Sequence, residues 1–166
     1  MRLLIMGLPG SGKTWLGTKL GQKFGIPYWD ADDVRRIYSD WEFTPQGRER
    51  QALRMRKLAE NDRISICGFV CPLLGHRRHF FADKTIWMDT IEEGRFEDTN
   101  KIFQPPTEYD VRITKWIDEN QLYKCLEDFS PGTMDTQNFL NELMLRLGKY
   151  ASLSVTLEKD TTTEIT

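Results

Sequence analysis

Eight consecutive residues constrain this chain more than any others: Gly7-Leu8-Pro9-Gly10-Ser11-Gly12-Lys13-Thr14. The apolar run Leu3-Leu4-Ile5-Met6 precedes them, and Trp15, Leu16, Leu20 and Phe24 follow at helical spacing. A short buried strand therefore runs into a glycine-rich turn, and the turn runs into a helix. In that setting the spacing G-x-x-x-x-G-K-[ST] is a phosphate-binding loop. Gly7, Gly10 and Gly12 let backbone N–H groups curl round phosphate oxygens. The helix N-terminus adds partial positive charge. Lys13 is placed to reach the β- and γ-phosphates of ATP, and the Thr14 hydroxyl to ligate Mg²⁺.

The rest of the chain alternates between strand and helix patterns. Tyr28-Trp29 reads as a second strand ending at Asp30-Ala31-Asp32-Asp33, where acidic residues suit a helix start. Thr44-Pro45 reads as an N-cap followed by proline at the first helical position, opening a helix to about Asn61. Strands are expected over 63–67, 84–89 and 111–114, and helices near 118–128 and 135–148. Residues 91–108 are polar, carry Gly94 and Pro105-Pro106, and lack periodicity; they are expected to form a mobile lid. The expectation is one domain over 1–150 and a loosely held polar tail over 151–166. The fold class is α/β: a three-layer sandwich, with a mostly parallel five-stranded sheet and helices on both faces. In such a sheet ligands bind beyond the carboxyl ends of the strands. The motifs at 7–14, 30–33 and 69–72, and the stretch after Asp89, all fall on that edge.

Composition narrows the function classes. At 166 residues the chain can bury one full core, and its net charge of −2 argues against a bulk nucleic-acid surface. No apolar stretch approaches the ~20 residues needed to span a bilayer. Nothing at the start resembles a signal peptide, so a cytoplasmic location is expected. Cys67, Cys71 and Cys125 lack metal-site spacing, and buried free thiols are expected at 67 and 71.

Several residues at the expected cleft suit phosphoryl transfer. Asp30 and Asp32 lie two apart after a strand, so one can hold metal-bound water while the other accepts a hydroxyl proton. Alternatively, one of them caps the following helix. Arg35, Arg36 and Arg48 can clamp an anionic acceptor, because guanidinium forks match phosphate and sulfate. Arg48 sits in a first helical turn, where a cation opposes the dipole; an ion pair to Asp40 or Glu42 is the structural alternative. Phe43 and Phe103 are aromatics in polar loops, suited either to local core or to a stacked base.

The ordered set Gly7–Thr14, Asp30-Ala31-Asp32-Asp33-Val34-Arg35, Phe43-Thr44-Pro45-Gln46-Gly47-Arg48, Phe69-Val70-Cys71-Pro72 and Asn100-Lys101-Ile102-Phe103 resembles the motifs of adenylylsulfate kinases. These P-loop kinases transfer the γ-phosphate of ATP to the ribose 3′-hydroxyl of adenylyl sulfate. The resemblance spans residues 1 to about 115. It implies Asp32 as base, Asp30 organising Mg²⁺ beside Thr14, and Lys101 in the lid near the transferring phosphates. It implies that Arg35 and Arg48 bind the phosphosulfate, with Gln51 where the family usually has Asn. Phe43 and Phe103 would sandwich the adenine, with Phe69 in the same acceptor site. Two further features depart from the family: Ala31 replaces the central glycine of Asp-Gly-Asp, and the long lid is shortened to Lys101–Pro106.

The expected partners are a small-molecule acceptor, adenylyl sulfate first, and a second copy of the chain in a homodimer. Asp32-Asp33-x-Arg35 is also similar to the polynucleotide 5′-hydroxyl kinases of phages, the one reading that brings in nucleic acid. Another nucleotide acceptor, or an inactive ATP-binding regulator, completes the alternatives.

Overall fold

Leu3 and Ile5 point to one face of the first strand and Leu4 and Met6 to the other, and all four are fully buried. That double burial explains the unbroken apolar run, since a parallel strand is covered on both sides. The computed structural model describes residues 1–116 and 118–163, with side chains described as far as residue 152.

The elements in order are β1 (Arg2–Met6), α1 (Lys13–Phe24), β2 (Tyr28–Asp30), α2 (Ala31–Tyr38), α3 (Pro45–Ala59) and β3 (Ser65–Gly68). Then come α4 (Leu74–Phe80), β4 (Lys84–Met88), α5 (Glu97–Ile102), β5 (Val111–Ile113), α6 (Glu119–Leu126) and α7 (Thr136–Thr163). The sheet has five strands in the order β2-β3-β1-β4-β5, and every pair is parallel. The expected three-layer α/β class is therefore observed, with the sheet wholly rather than mostly parallel.

Two apolar cores lie on the two faces. Leu3, Ile5, Ile66 and Ile86 pack with Leu16 and Leu20 of α1, Leu122 of α6 and Phe139, Leu140 and Leu143 of α7. Leu4, Met6, Cys67 and Trp87 pack with Val34 of α2, Ala52 and Met55 of α3 and Phe80 of α4. Each fully buried Leu or Ile contributes roughly 1.5–3 kcal/mol. Cys67 and Cys71 are buried free thiols, as expected. Burial pushes Cys67 up to about 12 and Cys71 further, which disfavours the thiolate at both.

Two helices fall where none was expected. α4 follows the Phe69–Pro72 loop, and α5 occupies the middle of the 91–108 stretch. At seven and six residues each is too short to show periodicity. α7 continues past Tyr150 to Thr163. The tail expected over 151–166 lies outside the described residues for its last three positions. Among the described residues, no helix is long and apolar enough to cross a membrane.

Candidate active site

The carboxyl ends of the strands open onto one cavity of about 600 Å³, within the range of small-molecule sites. Its walls come from six places: the loop after β1 with the start of α1, the end of β2 with the start of α2, the Trp41–Arg48 turn, Gly68–Val70 at the end of β3, the segment 95–99, and Trp116 after β5.

Pro9, Gly10, Gly12, Lys13 and Thr14 line the cavity. Gly7, Leu8 and Ser11 form the back of the loop, where the Ser11 N–H donates to the Leu8 carbonyl at 3.1 Å. The loop needs its glycines. A Cβ at Gly7 would run into the Met88 backbone carbonyl, and one at Gly12 would lie 2.6 Å from the Trp116 ring. Gly7, Gly10 and Gly12 all have positive φ. The Lys13 ammonium donates to the Gly7 and Leu8 carbonyls, both at 2.9 Å. Burial lowers its pKa to about 8, against the pull of Asp30 and Asp32 and with the push of Arg95.

The two aspartates divide their roles. Asp30 is the N-cap of α2: its Oδ1 accepts from the Asp32 N–H at 2.9 Å. Its Oδ2 accepts from the Thr14 hydroxyl at 2.6 Å and the Tyr28 hydroxyl at 3.2 Å. Asp32 is exposed in the first turn of α2 and lines the cavity, and its carboxylate makes no hydrogen bond or ion pair among the described residues. Thr14 and Asp30 together offer the hard oxygen ligands that fit Mg²⁺. No group of three or more His, Cys, Asp or Glu side chains forms a metal cage among the described residues. Mg²⁺ does not need one, because it keeps waters and substrate phosphates as ligands.

On the opposite side, Thr44 caps α3 by accepting from the Gly47 N–H at 3.1 Å, with Pro45 in the first turn, as the sequence predicts. Arg48 lines the cavity, its Nε donating to the Phe43 carbonyl at 3.0 Å and its Nη2 to the Thr99 hydroxyl at 3.3 Å. The alternative of an ion pair to Asp40 or Glu42 is not realised. Asp40 takes Arg50 and Arg54, and Glu42 takes Arg50. These guanidinium partners, Arg50 first, hold the Asp40 carboxyl far below the usual carboxylate range. Phe43 also lines the cavity, and Phe69 does so from the end of β3.

Four of the expected site residues are placed elsewhere. Arg35 is only 4% exposed. It donates to the Asp40 and Glu42 carbonyls and stacks 4.4 Å over Phe43, so it shapes the turn from behind. Gln51 is buried, donates to the Ala31 carbonyl at 3.1 Å and accepts from Arg54, tying α3 to the start of α2. Lys101 is exposed and pairs with Glu97 at 3.3 Å. Phe103 is partly buried against the second core, with Arg77 over its ring. None of the four lines the cavity. Arg36 is exposed and pairs with Asp33.

Other cavity residues carry no motif. Trp41, Arg95, Phe96, Asp98 and Thr99 line it, Thr99 accepting from Arg48 of α3, and Trp15 and Trp116 stand beside the phosphate loop. Trp15 and Trp116 meet edge to face at 6.4 Å. The signal for 95–99 in the sequence is the acidic pair Glu97-Asp98 at a helix start three residues after Gly94, too short to read alone.

No protein-family model matches the sequence, and no curated protein matches it. Solved structures do resemble the fold. The APS kinase of Mycobacterium tuberculosis, in complex with AMPPNP and APS, superposes with a TM-score of 0.59 at 21% identity, covering 86% of this chain and 96% of that one. The shikimate kinase of Aquifex aeolicus gives 0.55 at 17% identity, covering 75% and 92%. A gluconokinase of Sinorhizobium meliloti gives 0.54 at 11% identity, covering 94% and 96%. The chain thus has the five-stranded parallel fold shared by these P-loop kinases.

Proposed function

We propose that this chain is an ATP-dependent small-molecule kinase whose acceptor is adenylyl sulfate. The observation that carries the reading is one cavity shared by the phosphate loop, the unpartnered Asp32 carboxylate, and Arg48 with no carboxylate within ion-pair distance among the described residues. The phosphate loop holds the triphosphate, and Trp15 and Trp116 wall the donor's base. Arg48 meets the acceptor's anionic group, and Phe43 gives its ring a flat surface. Thr14 and Asp30 would hold Mg²⁺, which would supply charge neutralisation at the phosphates.

In the step itself, the acceptor hydroxyl oxygen forms a bond to the γ-phosphorus. The bond from that phosphorus to the β,γ-bridging oxygen breaks, and its electron pair leaves with ADP. The hydroxyl proton passes to the Asp32 carboxylate. The motif order in the sequence is what supports adenylyl sulfate among the acceptors of such kinases.

The test offers ATP with adenylyl sulfate, a 5′-hydroxyl oligonucleotide, hydroxymethyl-dUMP, shikimate and gluconate in parallel. Phosphorylation of adenylyl sulfate is expected. Transfer to another acceptor and not to it overturns the acceptor assignment. Asp32→Ala is expected to lower kcat on the order of 10²-fold or more, and an unchanged rate removes Asp32 from the reaction.

A further inference from the structure

The segment that closes the cavity is a small clip. The Gly94 N–H donates to Asn100 Oδ1 at 2.8 Å, and Asn100 Nδ2 donates back to the Gly94 carbonyl at 2.9 Å. This pair of bonds closes residues 94–100 into one turn. The clip is seated on the phosphate loop, since a Cβ at Gly94 would lie 3.0 Å from Pro9 Cδ. The two residues after Gly94 therefore have little choice of direction, and both line the cavity. Arg95 makes no hydrogen bond or ion pair to protein among the described residues; its guanidinium lies 5.6 Å from the centre of the neighbouring Phe96 ring, and its charge is felt at Lys13. Phe96 is 56% exposed beside it.

The residues further along the segment are committed elsewhere. Lys101 faces out and pairs with Glu97. Phe103 anchors the far end of the segment: its N–H donates to the Thr99 carbonyl at 3.0 Å, and its ring lies 5.6 Å beneath Arg77. The next residue, Gln104, is bound to Pro72, Leu74 and Arg77. An unpaired guanidinium beside a second cation is unfavourable until an anion arrives. A triphosphate on the loop is such an anion, and pre-placed donors of this kind stabilise transferring phosphate charge.

We propose that the working residues of the lid are Arg95, which contacts the transferring phosphoryl group, and Phe96, which walls the acceptor's ring, with Asn100 as the positioning residue for both. The assignment rests on the kinase reading above and departs from the family resemblance, which places these roles at Lys101 and Phe103.

Calorimetry with AMPPNP and with ADP tests it without any acceptor. Arg95→Ala is expected to weaken AMPPNP roughly 10- to 100-fold, the loss of a charge-assisted contact, and ADP less than about twofold. Lys101→Ala is expected to leave both unchanged. Equal loss for the two nucleotides, or the loss appearing in Lys101→Ala instead, overturns the Arg95 assignment. Asn100→Ala is expected to reproduce the AMPPNP-selective loss, whereas a purely structural role would lower Tm and leave the AMPPNP-to-ADP ratio unmoved. With the acceptor that wild type phosphorylates, Phe96→Leu is expected to raise KM about tenfold or more at little cost in kcat, and Phe103→Leu to change neither. An unchanged KM in Phe96→Leu overturns that half. A wild type that binds AMPPNP but phosphorylates no acceptor fails the kinase reading alone, because the nucleotide arm still decides Arg95.

Discussion

The phosphate loop and the segment 94–104 border one cavity, and both begin at a glycine, yet they are held by different kinds of contact. The loop is built from eight consecutive residues whose shape is set by positive φ at Gly7, Gly10 and Gly12 and by bonds within the loop itself. The segment 94–104 has one local pair, Gly94 with Asn100, and otherwise depends on partners far along the chain: Pro9 beneath Gly94, Arg48 on Thr99, and Pro72, Leu74 and Arg77 around Gln104. Local geometry survives as a spacing in the sequence. A segment held by distant partners leaves no such spacing.

The sharpest way to break the loop side is Gly7→Ala. The added Cβ meets a backbone carbonyl, which has nowhere to move, so AMPPNP binding is expected to fall on the order of 10²-fold or more. Retained binding would show that the loop's shape is not set by that glycine. The acceptor side breaks at Arg48. Arg48→Ala is expected to raise acceptor KM roughly 10- to 100-fold while leaving ATP KM unchanged, the loss of a hydrogen bond between charged groups. A shift in ATP KM instead would place Arg48 on the donor side.

Titration separates the two walls further. Lys13 has its pKa lowered to about 8 by burial, below its value in an unfolded chain. Between about pH 8 and 10.5 the unfolded state therefore binds more protons. The penalty from Lys13 is complete below pH 8 and is relieved as pH rises. A bound triphosphate restores the ammonium form, so AMPPNP binding at about pH 9 is expected to take up close to one proton, and at about pH 6.5 none at Lys13. Calorimetry in buffers of differing ionisation enthalpy reads this directly, and uptake independent of pH would remove Lys13 from contact with phosphate. The smallest effect is expected from Thr44→Ala. Loss of the cap on α3 costs about 1 kcal/mol, roughly 2–4 °C in Tm, with AMPPNP affinity unchanged.

The sequence made the strand–loop–helix start, the Thr44-Pro45 cap and the two-sided burial of β1 legible, because each rests on neighbours a few residues apart. Asp32 and Arg48 were legible as candidates. That neither has an ion-pair partner among the described residues was not, since it depends on Asp30 taking the cap and on Asp40 and Glu42 taking Arg50 and Arg54. Arg35 and Gln51 share the spacing of substrate ligands, yet packing commits them to backbone carbonyls. A motif records which residue stands at a position and not which way its side chain has been claimed.

The sequence by itself determined the phosphate-binding loop, Gly7 to Thr14, and the parallel α/β class. A turn of eight residues and the burial of β1 are encoded within a single stretch of chain. Only the tertiary structure decided what faces that loop. It brought Arg95 and Phe96 to the cavity and placed Lys101 and Phe103 outside it. The physical reason is that the 94–100 clip seats on Pro9 while Arg77 and the Pro72–Leu74 backbone hold the segment's far end. Those contacts join residues from different strands' ends, and they exist only once the sheet has brought those ends together.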